Sequence, residues 1–325
     1  MKFVSFAQNY EDVMLWRALK HVENGFYVDV GAFSPDHDSV TKAFYMAGWS
    51  GINIEPNPAF ALPYQVNRPR DILVTDAVSD TAGEQDIFII PSTGLTSMDQ
   101  EVAEHHADVG WKVEPVKVRV RTLAEILEEH APQRDIHFLK IDVEGLEENV
   151  IRGNDWDRFR PWLLVVEATF PMSQIESHAD WEPLVLSAGY QFVYADGLNR
   201  FYVADNHPEL KAAFKYPPNV FDNFVRYELV AEQERADRTQ EEVLSLSQGI
   251  DQMRGEAGLL NERIEILNAQ LAHTRAELKS SQSERTVLDT QRQTLSDQLH
   301  AVIHSRSWRI TRPLRAITNL LGQRH

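Results

Sequence analysis

Asp29-Val-Gly31-Ala32, Glu55, Asp76-Ala77-Val78 and Lys140-Ile-Asp142-Val-Glu144-Gly-Leu-Glu147 each lie at the end of an apolar run. A carboxylate placed like Glu55, about two dozen residues after Asp29, can accept both hydroxyls of a ribose, as the corresponding acid does in dinucleotide-binding folds. Asp76 can accept from an adenine amino group while the Ala77 amide meets the ring. Gly31 stands alone in its turn, letting the backbone approach a ligand; the three-glycine pattern that wraps a pyrophosphate is missing. That favours a nucleoside cofactor without a pyrophosphate, S-adenosylmethionine, over a nicotinamide dinucleotide. Asp142 and Glu144 flank the end of a buried run, where the reacting group should lie and an acid can act as general base. With Glu167 they could instead hold a divalent cation through hard oxygen ligands. His37, His105 and His106 are further candidate bases, and Glu147 and Glu148 read as complements to a helix dipole.

These residues need a framework that brings strand ends together. Phe26–Val30, Gly51–Glu55, Ile72–Thr75, Ile136–Ile141 and Trp162–Glu167 read as buried central strands. Ser39–Ala47, Asn57–Asn67, Thr122–His130 and Gly145–Arg152 read as helices between them, the third supported by the capping pair Thr122 and Glu125. Alternation of this kind predicts a parallel sheet with helices on both faces and a ligand crevice beyond the carboxyl ends of the strands. Gln191–Tyr194 and Arg200–Val203 read as late edge strands. The stretch from Gly83 to Val120 fits the alternation poorly and reads as a β-rich insertion near the site.

The same residues resemble the FkbM methyltransferases. Lys140-Ile-Asp-Val-Glu-Gly-Leu-Glu147 followed by Gly153 is similar to the family's hallmark, and Ser5-Phe-Ala-Gln-Asn-Tyr-Glu-Asp12 to its N-terminal segment. Asp29-Val-Gly-Ala32, Glu55-Pro56, Thr93-Gly-Leu-Thr-Ser97 and Val165-Val-Glu-Ala168 match in order. The chain departs at Phe33-Ser34, where asparagine is common. The resemblance covers roughly residues 4 to 225. It implies a Rossmann-like class I methyltransferase fold with a doubly wound sheet, and O-methylation of a sugar or related hydroxyl. Through it, Gln8, Glu11, Asp29, Gly31, Glu55, Asp76, Ala77 and Asp142 are expected to bind S-adenosylmethionine. Asp142, Glu144 and His106 are expected to serve the reaction, with no resident metal.

Composition separates this part from the rest. Residues 1–230 hold 36 acids against 19 bases, whereas residues 231–325 hold 13 of each. An acidic first part is unsuited to nonspecific nucleic-acid binding. From Leu246 to Val302, alternating steps of four and three pick out seventeen positions, thirteen of them apolar. This heptad predicts an all-α coiled coil over 231–304 that assembles copies of the chain. Residues 305–325 carry arginines and no acid, and Leu314, Ile317, Leu320 and Leu321 would share a face of a helix begun at Pro313. Such a tail suits an anionic membrane surface or glycan-assembly proteins. The absence of cysteine and of a signal-like N-terminus fits the cytoplasm, with peripheral attachment at the inner face of the membrane. The expected domains are thus 1–230, 231–304 and 305–325. The leading reading is an enzyme of surface-polysaccharide biosynthesis; the alternative is a coiled-coil scaffold whose methyltransferase-like domain only binds.

Overall fold

The computed structural model describes residues 2–89, 96–97, 112–171 and 173–312. The chain divides into two compact units, Met1–Arg235 and Ala236–His325. In chain order the first unit contains β1 (Phe3–Ser5), α1 (Glu11–Leu19), β2 (Phe26–Val30), α2 (Lys42–Met46), β3 (Ser50–Ile54), α3 (Ala61–Asn67) and β4 (Ile72–Val74). Short strands β5 (Ala77–Val78), β6 (Gly83–Ile89), β7 (Thr96–Ser97) and β8 (Glu114–Arg121) follow. Then come α4 (Leu123–His130), β9 (Phe138–Ile141), α5 (Glu147–Arg152), β10 (Leu163–Glu167), α6 (Glu182–Ser187), β11 (Tyr190–Ala195), β12 (Asn199–Ala204) and β13 (Phe224–Arg226).

Among the described residues, seven strands form the main sheet in the order β11-β12-β10-β9-β2-β3-β4. From β10 to β4 every pairing is parallel, while β12 runs antiparallel to both β10 and β11. Parallel strands covered on both sides read as unbroken apolar runs, and β2 shows the division. Phe26, Val28 and Val30 pack with Leu123 and Ile126 of α4, Val150 of α5 and Val185 of α6. Tyr27 between them packs with Met14 and Leu15 of α1 and Phe44 of α2. The result is a mixed α/β domain with helices on both faces of a multi-stranded sheet.

The expected central strands and helices all occur, most with ends moved by a residue or more. Arg200–Val203 is a correction: β12 lies inside the sheet, between β10 and β11, and of these two late strands β11 alone is an edge. The segment from Gly83 to Val120 does form strands, in a second sheet of order β5-β8-β6-β7 with a small core of Ala77, Ile87, Ile89, Val118 and Val120. The helices α1 and α6 and the parallel pair β1–β13 were not expected from the sequence.

The helix α7 spans Tyr227–His304, 78 residues, with no buried residue along it. At about 1.5 Å per residue it is about 117 Å long. It runs unbroken through Gly249, Gly255 and Gly258. A short helix α8 (Arg306–Ile310) begins at Ser305, whose side chain accepts from the Trp308 amide. Residues 313–325, with the rest of the expected amphipathic tail, lie outside the described residues, as do His105, His106 and Thr93 to Leu95. Among the described residues no helix is long and apolar enough to cross a membrane.

Candidate active site

One cleft opens at the carboxyl ends of β2, β3, β4 and β9, and its walls include Gln8, Asp29, Gly31, Glu55, Asp76, Ala77, Asp142 and Glu144. The structure therefore brings together eight of the expected site residues, drawn from stretches up to 136 positions apart. Apolar walls come from Ile54, Pro56, Val78 and Ile87, the last two contributed by the second sheet. Asp76 stands where the chain leaves β4 of one sheet for β5 of the other, with the Arg121 guanidinium 3.8 Å away.

Gly31 closes the floor for a reason the sequence reading did not contain. Its φ is +81°, and a Cβ there would lie 1.7 Å from the Asp142 carbonyl oxygen. The missing side chain admits the neighbouring strand end more than it admits a ligand. The next turn residue, Phe33, holds φ +48°, a left-handed backbone that asparagine adopts at lower cost. Here Phe33 packs edge-on against Phe60 at 4.8 Å between ring centres, a contact that offsets part of that cost.

Glu55 is buried, and each of its oxygens already accepts one amide, from Asn57 at 2.8 Å and from Phe33 at 2.9 Å. A carboxylate has about four lone-pair sites, so capacity for two hydroxyls remains. Burial outweighs those amides and pushes the Glu55 carboxyl up to about 7. Asp29 is 2% exposed, and its Oδ1 has no hydrogen-bond partner. An orphaned acceptor in a cleft wall is a place for a ligand or water to donate.

The two acids after β9 differ in their surroundings. Burial alone would raise the Asp142 carboxyl, but the Lys140 ammonium 2.7 Å from its Oδ2 holds it below the usual range. Burial, followed by the charges of Asp142 and Glu144, pushes the Glu167 carboxyl up to about 10. Among the described residues no cation pairs directly with Glu144, and the Lys140 charge acts on it only weakly. Burial, then Asp142 and Glu147, push it up to about 7, on a backbone with φ +55°.

Other expected roles are placed differently. Glu11 is not part of the cleft wall: it is buried, accepting from the Asn9 amide and from Asn199 Nδ2, both at 2.9 Å. Glu147 is more than a dipole complement, since its Oε1 accepts from the amides of Val143 and Gly145 and so shapes the loop that carries Glu144. Glu148 pairs with Arg152 on the surface. Asp142, Glu144 and Glu167 do not form a metal-holding set, and no such group of three or more occurs among the described residues. Lys140 had no assigned role in the sequence reading. Its signal was a lysine between Phe138-Leu139 and Ile141, a buried strand position that costs free energy unless the charge is paired.

Six acids and one lysine line the cleft: Asp29, Asp38, Glu55, Asp76, Asp142 and Glu144 around Lys140. Its chemistry suits a ligand that carries positive charge and donates hydrogen bonds. The sequence profile described as "Methyltransferase FkbM domain" matches residues 29–192, about half of the chain. No curated protein matches it. The matched segment runs from the first acid of the cleft through the loop that carries Glu144 and on to the edge strand of the main sheet, and the chain belongs to the FkbM methyltransferase family.

Proposed function

We propose that the protein is an S-adenosylmethionine-dependent O-methyltransferase acting on a hydroxyl of a sugar or glycan in surface-polysaccharide biosynthesis. The observation that carries the donor is the gathering of Asp29, Glu55, Asp76 and Asp142 at successive strand ends in one acidic cleft. The strand order, with helices on both faces and one antiparallel strand inserted beside the last, is read as the doubly wound class I methyltransferase arrangement. Crevices beyond the carboxyl ends of such sheets are where nucleoside cofactors bind. The residues fit this donor: a ribose has Glu55, an adenine has Asp76 and the apolar Ile54, Val78 and Ile87, and a cationic sulfur has an excess of carboxylates. When bound, the donor supplies an electrophilic methyl group on a sulfonium. The oxygen acceptor and the glycan context rest on the resemblance of the hallmark around Lys140 to Glu147.

The protein's part is positioning and proton removal. Asp142, kept ionised by Lys140, is a fixed negative charge and a weak base. Glu144, near 7, is matched to accept the proton of an acceptor hydroxyl at neutral pH. The charge on Asp142 favours both the cationic donor and the uptake of a proton by its neighbour. His106 lies outside the described residues, and the base role is read onto Glu144 from its place in the cleft wall. Titration calorimetry with S-adenosylmethionine tests the reading: the full-length protein should bind, and Glu55→Ala should bind about 10- to 100-fold more weakly, the loss expected for a charge-assisted pair of hydrogen bonds. Unchanged affinity in the variant would remove the ribose assignment, and no binding by the parent would remove the donor.

A further inference from the structure

The cleft is not completed by the matched family segment alone. Gln8 reaches its wall from a loop far outside residues 29–192, and that loop is tied down on three sides. From below, Asp12 of α1 is fully buried, with Oδ1 accepting from Ser5 Oγ at 2.7 Å and Oδ2 from the Phe6 amide at 2.8 Å. From the sheet, Glu11 binds the Asn9 amide with one oxygen and Asn199 Nδ2 with the other. Asn199 opens β12 and stands opposite Glu167 at the carboxyl end of β10. From the C-terminal side, β1 pairs in parallel with β13, and Phe6 stacks on Tyr227 at 4.8 Å. Tyr227 is the first residue of α7.

These ties fix which end of the cleft Gln8 serves. Asn199 belongs to the β10 and β12 side of the sheet, whereas Asp76 follows β4 at the opposite edge. With adenine at Asp76 and ribose at Glu55, the side beside β9 and β10 receives the amino-acid moiety of the donor. We propose that Asp12, Glu11 and Asn199 are positioning residues that, together with the β1–β13 pair and the Phe6–Tyr227 stack, hold Gln8 against the amino-acid moiety of the donor, so that residues 224–227 are part of the donor site. The proposal rests on the donor reading above. It makes Glu11 a support for Gln8 and not itself a ligand contact.

The amino-acid moiety can be removed chemically, which gives the test. Calorimetry on the full chain compares S-adenosylmethionine with 5′-methylthioadenosine, which keeps the adenosine and lacks the amino acid. Gln8→Ala, Asp12→Asn and the double variant Phe6→Ala with Tyr227→Ala should each lose about 10-fold or more for the whole donor, the scale of one or two lost polar contacts. Binding of 5′-methylthioadenosine should stay within about twofold, because Glu55 and Asp76 are untouched. Asn199→Asp, which removes the donor to Glu11, should resemble Asp12→Asn, and Gln8→Glu, which keeps an acceptor at that place, should recover part of the loss from Gln8→Ala. Equal losses for both ligands would mean a merely structural role, and no loss for either would mean that the loop does not meet the donor; both overturn the proposal. Should Asp12→Asn fail to fold, Gln8→Ala decides alone, since Gln8 is an exposed loop residue. A parent protein that binds neither ligand removes the donor reading itself, whereas a parent that binds both and variants that bind like it remove only this inference.

Discussion

Asp142 and Glu144 are two positions apart, yet a buried ammonium stands beside one and not the other. Lys140 neutralises Asp142 directly, and the remaining repulsion falls on Glu144 and Glu167. The sequence made both acids candidates but could not divide the roles, because the division depends on which side of the strand end the lysine reaches. A pH dependence follows. Glu55 and Glu144 both titrate near 7 in the free protein, and a cationic donor favours their ionised forms. Affinity for S-adenosylmethionine should therefore rise from pH 6 to pH 8 and binding should release protons, read as a heat that changes with buffer ionisation. Glu144→Gln should flatten the rise, and a flat profile in the parent would show that these carboxyls are ionised before the donor arrives. Stability of the free protein should move oppositely. Glu11, Glu55, Glu144 and Glu147 are all raised from 4.5 to about 7, so the folded state holds protons that the unfolded chain has released. Their contribution is full below about 4.5 and is lost as pH rises through 7. The donor-free melting temperature should be higher at pH 5.5 than at pH 7.5.

Elements were legible where their own signals are local. The helix α4 has its capping box, Thr122 with Glu125, in the sequence and in the structure. The helices that escaped notice have none: α1 starts at Tyr10 with φ +64° and no side-chain cap, and α6 starts at Trp181, also uncapped. Tertiary packing on the sheet supports them instead, and only the fold reveals it. Strand positions were legible because strands covered on both faces must be apolar throughout, but their order was not; β12 is inserted beside β10 by long-range pairing that leaves no local trace. The turn after β2 shows the same limit. Its glycine was expected for a ligand's sake, while its Cα faces the Asp142 carbonyl. Gly31→Ala should therefore damage the element, not only the site. The left-handed backbone costs about 1–2 kcal/mol for a side chain, and relief of the clash costs about 1–3 kcal/mol more. A denaturant midpoint equal to the parent's would mean that the turn can move away from β9 without penalty.

At the scale of the whole molecule, the helix α7 carries an apolar seam that stays uncovered among the described residues. Leu246, Ile264, Leu267 and Leu295 on the heptad positions are each about half exposed or more, and the helix buries no residue of its own. Isolated helices gain most of their stability from packing an apolar face. A 78-residue helix with a regular seam calls for a second copy of that seam, and the heptad spacing gives the geometry in which two such seams interlock. Leu271 and Leu278 flank Thr274, and Ser281, Arg285 and Arg292 interrupt the seam beyond it, so the middle contributes less per turn and fixes register more. We therefore expect the full chain to sediment as a homo-oligomer. A chain ending at Arg235 keeps β13, Tyr227 and every cleft residue, and should sediment as a monomer that binds S-adenosylmethionine as the full chain does. Replacing Leu260, Leu267 and Leu271 together by Asp in the full chain should likewise give monomers, because buried carboxylates on facing seams would each need a partner that the seam lacks. A full chain that sediments at the mass of one copy would mean that the seam is not used between copies. An oligomer that survives the triple substitution would place the association outside the heptad.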